Sequence, residues 1–382
     1  MTVPPFPQKF PADVPLQERR FFLARSFLPR NPMKNSFLLP AFLLFLTISA
    51  QAETFYVHNL NGSDQNSGLR ADQPFATLTK GVSCLKPGDR LILADSGTPY
   101  FESLALRNVS GTADQPIEVD GSGAVLDGSR PLLPESWTPL GNDLYSQPMK
   151  MSDSLKLRFF LLFDGQINRM GNSLKGHRVQ FKPVNQLGPS EWTWIESEQM
   201  LYVRLPQGQS LADAKISCPD FQRWESGVKL SGSCHHLIIR NVTTTHFFND
   251  GFNLHGDCTE ISFFNVRALF NGDDGISAHE ACSFLLDGFF SEGCGTGICH
   301  IQEAVGVHKN CVLKNAAGIE IALYGDTTNV LENVCVESTA MLGVIVDCRS
   351  CKIQNCRIHY VGEKKETILK AKEELEGSFE IQ

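Results

Sequence analysis

No stretch of this 382-residue sequence shows a long helical spacing of apolar residues, which argues against a bundle or any other helix-built core. Basic charge is also short. With a net charge of -8 and a pI near 5.7, the chain has no basic footprint for nucleic acid. The apolar run at residues 37–48 is too short to span a bilayer comfortably. Zinc-type spacing is missing too: Cys348 and Cys351 stand three apart but have no partners at similar spacing.

What is present is a repeat. The stretch Asn249-Asp250-Gly251-Phe252-Asn253-Leu254-His255 has an echo, Asn271-Gly272-Asp273-Asp274-Gly275-Ile276-Ser277-Ala278-His279. In each, acidic residues precede a glycine, apolar and polar residues alternate, and a histidine closes the run. Alternation is strand periodicity. It predicts Phe252, Leu254, Ile276 and Ala278 pointing inward, and Asn253, His255, Ser277 and His279 pointing outward.

Glycine opens such a strand at Gly227, Gly251, Gly275, Gly297, Gly318 and Gly343, in steps of 24, 24, 22, 21 and 25 residues. Asn241, Asn265, Asp287, Asn310, Asn333 and Asn355 recur in step, as do Cys234, Cys258 and Cys282. A fixed period in the low twenties means a solenoid. The leucine consensus of leucine-rich repeats is absent, so the fold class read here is all-β, a right-handed parallel β-helix. The Asn series reads as a ladder of stacked amides. The cysteines read as small buried apolar residues at equivalent places on neighbouring coils, not as disulfides.

The domain reading follows the period. Residues 33–52 form a signal peptide: Met33-Lys34-Asn35 gives a basic start and Ala50-Gln51-Ala52 a small-x-small cleavage pattern before Glu53. Residues 1–32 then stand upstream of a complete signal, and Met33 is read as the true start, the alternative being a long basic n-region or an uncleaved anchor. The compartment is secreted, periplasmic or cell-surface, the mature chain a monomer. Residues 53–128 hold a cap and the first coils, with a short helix expected at 74–82. Residues 129–226 break the period and read as a β-rich insertion, with a hairpin at Glu191–Ile195 and 199–206. All four tryptophans lie in it, Trp137, Trp192, Trp194 and Trp224, either lining a sugar site or forming the insertion's own core. Residues 227–362 are regular coils. Residues 363–382 are a charged tail or cap, with a short helix expected at 366–375.

The order of segments at residues 54–128 resembles the amino-terminal part of secreted β-helix proteins of the pectin-lyase-like superfamily. The matching pieces are Asn61-Gly62-Ser63-Asp64, Pro74-Phe75, Pro87-Gly88-Asp89, Ser110-Gly111-Thr112-Ala113 and Leu126-Asp127-Gly128. The resemblance implies the fold but no one reaction, since lyases, hydrolases, epimerases and surface proteins share it.

On a parallel solenoid, adjacent coils lie about 4.8 Å apart. Asp250 then falls beside Asp274 and Asp273, and His255 beside His279. Asn253 and Ser277 lie between these pairs, and Lys229 and Glu320 extend the outward stripe by a coil on each side. Paired carboxylates suit glycoside hydrolysis, one protonating the leaving oxygen and one activating water. Such a cluster could instead hold Ca2+. The cluster also resembles part of the polygalacturonase family. Gly272-Asp273-Asp274 matches its "GDD" and Asp250-Gly251 the end of its "NTD" motif, while its basic residues have no counterpart at the matching positions. The resemblance implies Asp250, Asp273 and Asp274 as catalytic. His279 is added as a catalytic candidate, and Lys229, Asn253, His255, Ser277 and Glu320 as substrate-binding. His300 is read as inward and structural.

The reading is a polysaccharide-degrading glycoside hydrolase with a polysaccharide as partner. The alternatives are a lyase or epimerase on a uronic-acid polymer, and a non-catalytic carbohydrate-binding or structural solenoid. No cofactor is certain, and Ca2+ stays open.

Overall fold

The computed structural model describes residues 51–151, 158–169, 173–174, 177–178, 181–223, 225–339, 342–362 and 366–382. The expected upstream extension 1–32, the signal segment apart from Gln51 and Ala52, and Trp224 lie outside them. Among the described residues, no helix is long and apolar enough to cross a membrane.

The chain winds as a parallel β-helix with three faces. On the first face Leu104–Arg107 pairs in parallel with the start of Val228–Arg240, which pairs with the start of Phe252–Leu269. Asp274–Ala278, Thr296–His300, Ile319–Tyr324, Leu342–Gln354 and Thr367–Glu376 follow in turn. The second face runs from Thr54–Val57 through Arg90–Leu93 and Ile117–Asp120, and the third starts at Val125–Asp127.

Alternation decides what is inside. Val228, Phe252, Ile276, Ile298, Ile321 and Val344 occupy one inward row of the first face and are all fully buried. Each apolar side chain of this size contributes roughly 1.5–3 kcal/mol by leaving water. One core runs from Phe55 near the start to Phe379 near the end. Cys234, Cys258 and Cys282 stack within it, their thiols donating to backbone carbonyls, and ten of the twelve cysteines are buried.

The expected amide ladder forms along its later half, while Asn241 donates instead to Asp120 at 3.0 Å. Asn355 donates to Asn333, Asn333 to Asn310, and Asn310 to Asp287 at 2.7 Å. Asn241, Asn265, Asn310, Asn333 and Asn355 sit at φ between 51° and 57°. That left-handed conformation suits asparagine, whose short side chain bonds locally. The glycine column needs one correction. A Cβ on Gly251 would lie 2.7 Å from the Gly275 carbonyl, and one on Gly275 would lie 2.5 Å from that of Gly297. The next place belongs to Glu320, not Gly318, because Ile298 pairs with Ile321.

The helix near the start is Leu78–Ser83, capped by the Thr77 side chain. The helix expected at 366–375 is instead the strand Thr367–Glu376, and Phe379–Ile381 adds another on the third face. Helix propensity in this Lys/Glu-rich stretch is local and weak. The open edge of the previous coil offers unpaired backbone groups, and pairing with it wins.

The insertion leaves and rejoins the solenoid at one point. Ser129–Pro131 pairs antiparallel with Ser217–Pro219, and Asp220 N–H donates to the Gly128 carbonyl. Glu191–Ile195 and Met200–Arg204 form the expected hairpin, extended by Leu144–Pro148 and Thr138–Gly141. Trp137, Trp192 and Trp194 are buried in the insertion's own core with Phe159 and Leu161. Their faces are therefore not available to a sugar.

Candidate active site

The acidic cluster forms at the corner that leads into the first face. Asp250 precedes Phe252 by two residues as Asp274 precedes Ile276, and Phe252 pairs with Ile276. The pairing brings the carboxylates together: Asp250, Asp273 and Asp274 each offer an oxygen within 4.8 Å of the others. Asp273 is 8 % exposed, and the other two less.

Donors surround Asp250. Its Oδ2 accepts from the Asn249 side chain at 2.9 Å and from the Asn253 side chain, and its Oδ1 accepts from Asp274 N–H at 3.0 Å. Asp273 faces a cation that the repeat does not supply. Arg158 Nη2, from the insertion, lies 2.8 Å from Asp273 Oδ2, and Arg158 Nη1 donates to Asn249 Oδ1 at 2.5 Å. Arg169, also from the insertion, donates to the carbonyls of Asn271, Gly293 and Gly272. Burial pulls its guanidinium down to about 10. No periodicity singles out these two arginines, since they sit where the repeat is interrupted.

The outward row has the predicted order. Lys229 pairs with Asn253 and Asn253 with Ser277, and Ser277 and Asn253 are buried. Lys229 is ion-paired to Glu225. His255 and His279 stack with ring centroids 3.8 Å apart, and Ser277 Oγ lies 2.9 Å from His279 Nε2. Glu280, which the sequence reading missed, contacts His255 at 3.3 Å and accepts from Gly256 N–H at 3.0 Å. Burial raises the Glu280 carboxyl, but the Gly256 N–H and the two histidines more than offset it and hold it below the usual range.

Glu320 is not part of this stripe. It is fully buried inside the solenoid, where Ala316 N–H donates to it at 2.9 Å and Ser338 lies beside it. It occupies the inward glycine column, which explains its direction. Burial pushes its carboxyl up to about 7. His300 is buried as expected, its Nδ1 3.0 Å from Asn329 Oδ1, with His308 packed beside it.

The donor set does not fit Ca2+. That ion takes six to eight oxygens around it. Here a guanidinium and two amide N–H groups already face the Asp273 and Asp250 oxygens. The cluster is built to face donors.

No protein-family model matches the chain. A lacto-N-biosidase from Bifidobacterium longum subsp. longum is 31% identical over 85 residues, a match that covers 22% of this chain and 5% of that protein. Among solved structures, a glycoside hydrolase superposes with a TM-score of 0.52 at 13% identity, covering 81% of this chain and 83% of the other. This likeness is one of fold. The XylC–xylose complex, at a TM-score of 0.43 and 12% identity, covers 81% of this chain and 68% of its own, too loose a match to argue from. The parallel β-helix expected from the pectin-lyase-like resemblance is the fold observed.

Proposed function

We propose that this β-helix protein is a secreted carbohydrate-active enzyme, a glycoside hydrolase whose reacting carboxylates are drawn from Asp250, Asp273 and Asp274. The observation that carries this is the approach of three carboxylates within 4.8 Å on adjacent coils. Glycoside hydrolysis needs one carboxyl group to protonate the leaving oxygen and a second to attack the anomeric carbon or activate water. In this reading Asp274 gives its proton to the glycosidic oxygen, and Asp273 attacks from the opposite face to form a glycosyl ester. Water then releases the sugar, with Asp274 taking the water's proton. Asp250, fixed by its N–H donors, orients Asp274 through the backbone N–H it accepts. Ser277, His255 and His279 offer hydrogen bonds to sugar hydroxyls beside the cluster. The biosidase match adds support from the name of that relative, over its short span.

A lyase needs a base beside a uronate carboxyl. Lys229 is ion-paired to Glu225, and Arg169 is engaged by three backbone carbonyls, so neither is placed for that work. The non-catalytic reading has one observation in its favour: Arg158 docks on Asp273 and Arg169 on the backbone carbonyls beside it, so Asp273 also acts as a socket for the insertion. Asp274→Asn separates the two. Reducing ends released from neutral polysaccharides by the wild type should fall by about 10²–10⁴-fold in the variant, the usual range for a lost acid–base group, with its melting temperature kept. A variant that loses melting temperature but retains per-molecule activity would leave the socket role alone. Unsaturated uronates among the products would replace hydrolysis by elimination.

A further inference from the structure

The cleft at the start of the solenoid lies on the same rows as the aspartates. Leu104 pairs with Val228, and Val228 with Phe252. Glu102, Ser226, Asp250 and Asp274 each stand two residues before Leu104, Val228, Phe252 and Ile276, so they form one row along the solenoid axis. Phe101 holds the place that Asn249 and Asp273 hold further along. Two coils separate Glu102 from Asp250, about 10 Å at the usual strand spacing.

The cleft at that end has a volume of about 660 Å³, and its lining includes Asn59, Leu60, Thr98, Phe101, Glu102 and Arg223. That size suits a small-molecule site. Phe101 is 53% exposed and Leu60 59% exposed. An exposed aromatic ring set among hydroxyl, amide, carboxylate and guanidinium groups matches a sugar ring, which has an apolar C–H face and a polar rim.

We propose that this cleft is a distal saccharide subsite, continuous with the aspartate row and built for a neutral sugar unit. Phe101 stacks on the apolar face of the ring, and Glu102 and Arg223 bond its hydroxyls. The charge around the cleft decides the class. One oxygen of the Glu102 carboxylate accepts from Leu78 N–H at 3.1 Å, which fixes the group at the cleft wall, and Asp64 and Arg223 are its charged neighbours, two acids against one cation, which disfavours a uronate. The proposal rests on the hydrolase reading for the word saccharide, but not on the chemistry at Asp274.

The test uses the full chain with short and long neutral oligosaccharides of the gluco, xylo and galacto series, and oligogalacturonates as the acidic control. Binding is measured by calorimetry, with hydrolysis followed in parallel. Phe101→Ala and Arg223→Ala should each weaken binding of a long neutral oligosaccharide by about tenfold and leave short ones unchanged, since one lost aromatic or charged contact is worth on the order of 1.4 kcal/mol. Phe101 is exposed, so its removal leaves the core intact. The Asp274→Asn chain should keep this length-dependent binding. If it does while no hydrolysis is ever seen, the hydrolase reading fails and the subsite stands. The subsite is overturned if Phe101→Ala binds every oligosaccharide as the wild type does, if oligogalacturonates bind more tightly than the neutral series, or if no neutral oligosaccharide binds the folded chain.

Discussion

Arg158 and Asp273 form an ion pair at 2.8 Å that ties the insertion to the solenoid at the centre of the candidate site. The same guanidinium reaches Asn249, whose amide in turn holds Asp250. One side chain from an irregular segment therefore orders two of the three carboxylates.

Arg158→Ala should lower both stability and activity. The Asp273 carboxylate would keep its buried position and lose this ion pair, at about 1–3 kcal/mol given that the arginine is partly exposed. Urea unfolding reads the first effect and kcat/KM the second. Arg158→Lys should recover part of the stability but less of the activity, because lysine lacks the fork that serves Asp273 and Asn249 together. Equal recovery of both would reduce Arg158 to a point charge.

Chelation should leave activity unchanged. The oxygens of Asp250 and Asp273 face N–H donors, and no calcium shell is set up by them. Initial rates with EDTA and with added Ca2+ should agree. A rate that collapses in EDTA and returns with Ca2+ would show that the donor arrangement opens around the ion.

Hydrolysis should retain the anomeric configuration. Carboxyl groups about 5–5.5 Å apart act by a covalent intermediate, whereas inversion needs about 6.5–9.5 Å to admit a water between them. The oxygens here approach within 4.8 Å. Proton NMR of the first product settles it, and an inverted product would mean that one aspartate activates water for direct displacement instead of attacking the sugar itself.

Stability should fall on both sides of a maximum in mildly acidic solution. Glu320 is raised from 4.5 to about 7 by burial, so its contribution is full below 4.5 and is lost as pH rises through 7. The shift corresponds to roughly 3 kcal/mol. His300 is lowered from 6.5 to about 4 by burial, so its contribution is full above 6.5 and is lost as pH falls through 4. Glu320→Gln should flatten the alkaline limb in urea-midpoint measurements and leave the acid limb in place. An unchanged alkaline limb would exclude Glu320 as its source.

Much of the solenoid was legible because its physics is periodic. Phe252 and Ile276 pair as their spacing requires, and His255 stacks on His279 for the same reason. The misreadings came where two local patterns compete. Gly318 mimicked the column that Glu320 fills, because glycine is common at the nearby turn and only the register of Ile298 on Ile321 decides between them. Residues 366–375 have the composition of a helix, yet they form a strand because the preceding coil presents a free edge. The tryptophans of the insertion were open between a sugar platform and a core, and Trp192 and Trp194 are core.

The sequence by itself determined the coil, the inward and outward rows, the amide ladder, and the meeting of Asp250 with Asp273 and Asp274. Each of these depends on neighbours one repeat away, and a parallel ladder turns equal spacing into contact. Tertiary structure alone decided what lies opposite the aspartates. Arg158 and Arg169 come from a segment with no period, and their place depends on how the insertion's own core packs back on the solenoid. The cleft at Phe101 and Glu102 is decided the same way, because its walls join the first coils to Arg223, more than a hundred positions away, and no spacing in the chain encodes that closure.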